Sequence, residues 1–519
     1  MKPLLIALAL APAVAHAAPP PDFDARVEAL RQEVGVPGIG IAIVEQGQTV
    51  LAKGYGVKRL GSADPVTPHT IFPTGSTGKA VTVAALATLV DQGKIAWDDK
   101  VIDHLPGFQM WDSWVTREMT IRDLLVHRSG LGLGAGDLLF VPRSNLSRAE
   151  AVRRLRYIKP ATSFRSGYAY DNVLYMVAGQ LIQEVTGQTW EAYVKNHIFK
   201  PAGMADSVSD DPDRFASADR AQPHARMDGG LRGAGRQEML DERDGLARNA
   251  APAGGLAVSP ADMGKWLAVQ LGQGRLPDGR ELFSPEQARE MWRPETLMPI
   301  DARPAELAAS QPKFQSYALG WIVQDYRGAQ IVQHGGSVFG FQTVVVLMPE
   351  QDVGFSIQIN SEDGELIQGL MYELLDHYLG QPAQGWPARF RAVKAKKVAD
   401  GLAAFKVGAA SPAGSGPSLP LARYAGTYRD PWYGDIVVAQ EGKGLTIDFR
   451  STPRMGGKLE HFQYDSFLTR FEDRTIEPAY VTFGLDAEGR VERVTIKPAS
   501  PIADFSYDYR DLLFTPVKP

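Results

Sequence analysis

No cysteine occurs anywhere in the chain, which excludes disulfide bridges, thiol nucleophiles and thiolate metal sites together. Neither sign of charge is in large excess. Fifty-five basic against 60 acidic residues leave a formal net charge of -5, so there is no electrostatic case for nucleic acid, which calls for a basic face or stripe. The nine histidines form no H-E-x-x-H or comparable pairing, and neither a metal nor another cofactor is indicated. A G-x-S-x-G elbow is also missing, which counts against an α/β-hydrolase arrangement. After the first residues no stretch approaches the roughly 20 apolar residues that a membrane-spanning helix needs.

What is present is a globular composition, 44% hydrophobic and 22% charged over 519 residues, enough for two or three domains and a large buried core. Residues 1–17 carry Lys2, an apolar run from Leu4 to Ala15 and a small-x-small site at Ala15-His16-Ala17. This pattern reads as a secretory signal peptide. It predicts a mature protein without a membrane span, exported to a bacterial periplasm or secreted.

Apolar spacing predicts a helix over Phe23–Val34, then a hairpin of Gly38–Val44 and Val50–Gly56 across Gln46-Gly47-Gln48. Helices are expected over Thr77–Asp91 with Gly93 beyond its end, Thr120–Val126, Arg148–Tyr157, Val173–Thr186 with Gly187 as its stop, and Ala261–Gly272. Residues 205–255 read as a long surface excursion near a cleft. Strands follow at Leu319–Gln324, Ala329–Gln333, Gln342–Met348 and Val353–Ile359, the last alternating in the half-buried manner, and Leu366–Leu379 closes the unit as a helix. The expected fold class is α+β: an antiparallel sheet flanked by helices, with a helical region inserted in the middle, over residues 22–382.

Residues 383–420 read as a linker, with a basic amphipathic stretch at Lys394–Lys406 and SPAGSGPSLP at 411–420. The last segment, 421–519, predicts a separate small all-β barrel or sandwich. Its short strands are expected at Gly426–Tyr428, Asp435–Val438, Leu445–Phe449, Tyr480–Phe483, Val491–Ile496 and Phe505–Tyr509.

One stretch carries chemistry. Pro73-Thr74-Gly75-Ser76-Thr77-Gly78-Lys79 sets a serine and a lysine three positions apart at the head of a strongly helical run, so both side chains share one face near the positive end of a helix. S-x-x-K alone is weak, and a second copy, Ser310-Gln311-Pro312-Lys313, shows it: Pro312 makes a working pair there improbable. The glycines at 130, 132, 134 and 136 lack the strand and helix of a nucleotide loop and are read as an ordinary loop. Two more segments decide the case for Ser76: Tyr170-Asp171-Asn172 before a helix, and His334-Gly335-Gly336-Ser337 at the end of a strand. Individually, Tyr170 suits a core aromatic, Asn172 a helix cap and His334 a strand-end histidine.

In this order the three segments resemble the S-x-x-K, Y-x-N and K-T-G-like H-x-G motifs of the serine β-lactamase and penicillin-binding-protein superfamily. Val36-Pro37-Gly38, the run Thr120 to Leu131 (TIRDLLVHRSGL) and Ala253-Gly254-Gly255-Leu256 look like landmarks of its class C-like branch, which includes esterases and D-aminopeptidases. The C-terminal unit is similar to the lipocalin-like domain of some members. The resemblance implies Ser76 as nucleophile, with Lys79, Tyr170 or both as base. It also implies the backbone N–H groups of Ser76 and Ser337 as the oxyanion hole, and Asn172, His334, Gly335 and Gly336 as substrate-binding residues. His127 is read as structural.

The function so implied is an exported serine hydrolase working through an acyl-enzyme on amide, peptide or ester substrates. A β-lactamase or D,D-carboxypeptidase is the alternative, and a protein that acylates without turnover is an alternative of another class. His334 stands where K-T-G has lysine. An ordinary imidazole is mostly neutral at pH 7, which predicts poor use of substrates recognised by a free carboxylate.

Overall fold

The computed structural model describes residues 18–408 and 415–518; the leader reading at 1–17 and the start of the 411–420 segment lie outside them. Eight strands form one sheet: β1 Gly38–Glu45, β2 Gln48–Gly56, β3 Thr296–Leu297, β4 Gln315–Tyr317, β5 Ile322–Tyr326, β6 Ala329–Val338, β7 Phe341–Met348 and β8 Val353–Ile359. Their order is β2-β1-β8-β7-β6-β5-β4-β3, antiparallel at every pairing. The N-terminal hairpin thus joins the late strands through β1 and β8, in the register Ile41 to Ile357. Gln46 and Gly47 both take positive φ at its turn, the geometry that matches strand twist in a tight hairpin.

The helices are α1 Phe23–Val34, α2 Lys79–Asp91, α3 Val173–Thr186, α4 Pro260–Leu271, α5 Gly364–Tyr378 and α6 Trp386–Gly408, with shorter turns between them. Strand β8 is buried at all seven positions rather than alternately. The reason is cover on both faces: Phe355, Ile357 and Ile359 pack with α1 and α5, while on the other face Gly354 lies against Leu267 and Leu271 of α4. A sheet sandwiched between helix layers loses the alternation that a solvent face would impose. Helix α2 is buried from Lys79 through Leu89, as a helix apolar on every side must be. It is the central rod of the inserted helical region.

Several local expectations change. Ser76 lies on a 3₁₀ turn, Gly75–Gly78, and the α-helix begins only at Lys79. Thr120–Val126 holds a single 3₁₀ turn at Arg122–Leu124, because Asp123 spends its carboxylate on Thr120, Arg128 and Arg165. The segment given to a linker, 383–420, is helical from Trp386 to Gly408. Buried Trp386 anchors it by donating to Asp376 of α5 at 2.7 Å.

Residues 426–516 form a closed antiparallel barrel of eight strands, from Gly426–Asp430 to Leu513–Pro516. Its interior is packed with side chains, among them Tyr433, Phe449, Phe467, Phe483 and Phe514, all nearly solvent-free. Phe505–Tyr509 is not a strand but part of the excursion between Val491–Pro498 and Leu513–Pro516. The strands at Gly456–Gln463, Ser466–Phe471 and Leu513–Pro516 have weak apolar alternation and were not legible in the sequence.

The barrel is docked, not tethered. Arg154 donates to the carbonyls of Trp432 and Tyr433, Asn145 N–H to Ser451 O at 3.1 Å, and Phe339 stacks on Tyr507. Arg232 grips Glu362 with two bonds and the Thr475 carbonyl with a third, at 2.6 Å. Because both ions are largely shielded, with side-chain exposures of 17% and 19%, removing one partner strands the other. Arg232→Ala is expected to cost about 2 kcal/mol of stability, read as a lowered denaturant midpoint with an early, separate barrel transition.

Candidate active site

The site starts with a close approach of two backbones. Gly75 has φ +54, and a Cβ there would stand 2.5 Å from Ser337 N; a Cβ on Gly336 would stand 2.0 Å from Thr74 O and 3.1 Å from Ser76 N. Only residues without Cβ let the turn lie this close to β6. Thr343 Oγ1 on β7 donates to Thr74 O at 2.7 Å and Thr74 N–H to Leu256 O at 2.9 Å, pinning the turn from both sides. The consequence is that the backbones at Ser76 and Ser337 lie side by side at the wall of one cavity. His334, Gly335, Gly336 and Ser337 lie inside β6, which continues to Val338; the sequence reading ended that strand too early.

Lys79 is fully buried, and its Nζ has three partners: Ser76 Oγ at 3.0 Å, Asn172 Oδ1 at 2.7 Å and Ala253 O at 2.9 Å. The two amide oxygens only accept hydrogen bonds, whereas the hydroxyl can donate or accept. An ammonium fits these partners by donating to all three, and a neutral amine fits them without rearrangement by giving its two hydrogens to Asn172 and Ala253 and its lone pair to the Ser76 hydroxyl. Burial brings the Lys79 pKa down to about 7, against Asp137 and Asp171, whose charges hold it up.

Asn172 precedes α3 but makes no side-chain cap there. Its amide nitrogen instead donates to Asp137 Oδ2 at 2.9 Å. Tyr170 has a partly exposed ring but a shielded hydroxyl, directed at Ser76 without a well-formed hydrogen bond. Burial raises its pKa well above the usual phenol value, so it is a neutral phenol at pH 7. Gly134 N–H holds the Tyr170 carbonyl at 2.8 Å, which gives the glycine run a structural task. His127, buried and at positive φ, packs its ring 4.2 Å from that of Tyr170 and 4.3 Å from that of Tyr317. It supports the tyrosine without touching Ser76.

His334 is 3% exposed. Its Nδ1 lies 2.6 Å from Gly335 O and its Nε2 2.8 Å from the Tyr317 hydroxyl. A carbonyl can only accept, so Nδ1 carries the proton and Tyr317 donates to Nε2. Burial, with Lys79 nearby, takes the His334 pKa down to about 3. The ring is neutral, as its sequence position suggested, but both nitrogens are already engaged by the protein, so it presents no spare N–H to a substrate.

These residues open into a cavity of about 690 Å³. Ser76, Tyr170, Asn172 and His334 form its floor, and Ile502, Asp504 and Phe505 of the barrel excursion face them. Phe505 stands edge-to-face with Tyr170 at 6.0 Å. Asp137, Tyr317 and Ser506 were missed by sequence reasoning: Asp137 hides in the glycine run, Ser506 in a segment read as strand, and Tyr317 in no motif. Among the described residues no group of three His, Asp or Glu could hold a metal, and no helix is long and apolar enough to cross a membrane. Ser310 is a buried 3₁₀-turn residue that donates to Leu307 O, with Lys313 exposed. Gly336→Ala should force the Ser76 turn and β6 apart, lowering kcat far more than it lowers the melting temperature; both are measured on one preparation.

The family model described as Beta-lactamase matches residues 23–377, and a domain of unknown function, DUF3471, matches residues 410–516. The unguisins hydrolase ungD' of Aspergillus campestris is 29% identical over 80% of this chain and 77% of its own. Penicillin-binding protein 4 of Amycolatopsis lactamdurans is 27% identical over 70% of this chain and 90% of its own. Among solved structures, the octameric penicillin-binding protein homologue from Pyrococcus abyssi superposes with a TM-score of 0.58 at 21% identity, covering 91% of this chain and 97% of that one. SurE superposes at 0.52 with 20% identity, covering 95% and 98%. Since the family model takes in well over half of the residues and its fold is the one seen here, the chain belongs to the beta-lactamase family of serine hydrolases.

Proposed function

We propose that the protein is an exported hydrolase that cleaves amide, peptide or ester bonds through an acyl-enzyme on Ser76. The observation that carries this reading is the partner set of Lys79, which suits a neutral amine accepting the serine proton. Lys79 is the base in acylation: its lone pair takes the Ser76 proton as Oγ attacks the carbonyl carbon, and the N–H groups of Ser76 and Ser337 receive the developing oxyanion. Tyr170, a neutral phenol, passes a proton to the leaving group and recovers one from Lys79. Asn172 and the β6 backbone at Gly335 and Gly336 position the acyl chain. Water then enters by the reverse path and releases the acid.

One feature favours substrates not recognised by a free carboxylate: His334 offers neutral surface where a lysine would offer fixed charge. Relatives named as hydrolases support turnover over mere acyl binding. Export is supported by the leader-like pattern of residues 1–17.

The decisive test is a serine-reactive fluorophosphonate with intact-mass detection, followed by a panel of D-amino acid amides, short p-nitrophenyl esters and a cephalosporin. One probe adduct is expected on the wild type and none on Ser76→Ala, which should lose turnover and keep its fold; an unreduced rate in that variant would place the nucleophile elsewhere. Ester or amide kcat/KM should exceed that for the cephalosporin, and a cephalosporin rate near about 10⁸ M⁻¹s⁻¹ would favour a β-lactamase instead. The active form of Lys79 is the unprotonated one and its pKa lies near 7. kcat/KM should therefore climb as pH rises through about 7 and level above it, and a rate independent of pH from 5 to 9 would remove Lys79 as base.

A further inference from the structure

The barrel contributes a side chain to the hydrogen-bond chain that ends on the proposed base. Asp137 is wholly buried, and its Oδ2 receives two donors: Asn172 Nδ2 at 2.9 Å and, from the barrel excursion, Ser506 Oγ at 2.8 Å. Its Oδ1 is shielded and has no partner. Asn172 in turn accepts from Lys79 Nζ at 2.7 Å. Four side chains thus run in line, Ser506 to Asp137 to Asn172 to Lys79, crossing from one folded unit to the other.

We propose that Asp137 is a positioning residue, clamped by Ser506 of the barrel, that locks the Asn172 amide with its oxygen toward Lys79 and places a buried negative charge behind the base. The inference rests on the reading of Lys79 as base. A carboxylate can only accept, so it forces the NH₂ end of Asn172 toward itself and the carbonyl end toward Lys79. Without that constraint the amide can turn over and offer Lys79 a donor, which would compete with the Ser76 hydroxyl for the amine's one lone pair. Ser506 is the second donor that keeps the Asp137 oxygen oriented and partly offsets the cost of burying it. The barrel therefore helps to organise the base as well as wall the cavity.

Other titratable groups face this line. From the main domain these are Asp171, His127, His334 and Tyr170; both histidines are pushed toward the neutral form by burial and the tyrosine is a neutral phenol. From the barrel excursion these are Asp504 and Asp508, the latter raised to about 8 by burial beside Asp511. Asp137 itself is raised by burial to about 7, so its charge is fully present only above that pH; when it protonates, the unpartnered Oδ1 can take the proton and Oδ2 still accepts from Asn172 and Ser506. Taking away its charge removes an interaction that favours the ammonium form of Lys79.

The test is the pH profile of kcat and KM for a p-nitrophenyl ester in the full chain, for wild type, Asp137→Asn, Ser506→Ala and Ser506→Thr. Asp137→Asn should move the acidic limb to lower pH by about one unit, the scale of one nearby charge. Ser506→Ala should move it the same way by less, with kcat reduced several-fold and KM little changed, and Ser506→Thr should restore both. If Asp137→Asn does not fold, the two Ser506 variants decide alone. A limb that stays at the wild-type position in the folded variants, or an equal loss at every pH that Thr does not rescue, overturns the proposal. Failure of the underlying reading looks different: the wild type would show no acidic limb near 7 or no probe adduct on Ser76.

Discussion

The burial of the Lys79 amine is the constraint on which the rest of this structure depends. A lysine nitrogen removed from water is costly unless every hydrogen finds a partner or the group gives up its proton. Here both remedies operate. Three acceptable partners arrive, one from the adjoining Gly75–Gly78 turn and two from distant segments, the residue before α3 and the short turn of helix holding Ala253. Burial then shifts the group toward the neutral amine. The placement of α2 at the centre of the helical region, apolar on every side, sets the depth of that nitrogen.

Around it the protein keeps net charge low. His334 and Tyr170 are held neutral by the same desolvation, and Tyr317 satisfies the histidine so that it does not compete for the Ser76 proton. The backbones of Ser76 and Ser337 are brought close together by the missing side chains of Gly75 and Gly336, and backbone dipoles need no reorganisation as charge develops.

The C-terminal barrel departs from the picture of a tethered accessory. Its own interior is filled by aromatic side chains, and its most consequential contacts are external: Arg232 on Thr475, Arg154 on Tyr433, and the excursion carrying Phe505 and Ser506 into the cavity wall. A 690 Å³ space is bounded by both units, with one wall supplied by the barrel and the other by the Ser76 side. Relatives sharing the family model but not the barrel would lack that wall.

Much of this was legible in the chain. Helix α3 and strand β8 have the bounds their apolar patterns give, and Ser76, Lys79, Tyr170, Asn172 and His334 were singled out from three short segments in order; the structure brings Ser76, Tyr170, Asn172 and His334 to one cavity, with Lys79 buried behind Ser76 and Asn172. Periodicity and punctuation by glycine are local, and local signals survive without tertiary knowledge. Tertiary structure alone decided the burial of β8 on both faces, which depends on α4 and α5 packing from remote positions. It decided that 386–408 is helical, since its weak amphipathic pattern becomes a helix by docking on α5 through Trp386. It also decided that Asp137, Tyr317 and Ser506 belong to the site, because a hydrogen bond between residues 369 positions apart leaves no trace in spacing. Composition and local pattern dictate which groups a chain can bring to chemistry; desolvation and partner geometry, which set their protonation and orientation, exist only once the chain is folded.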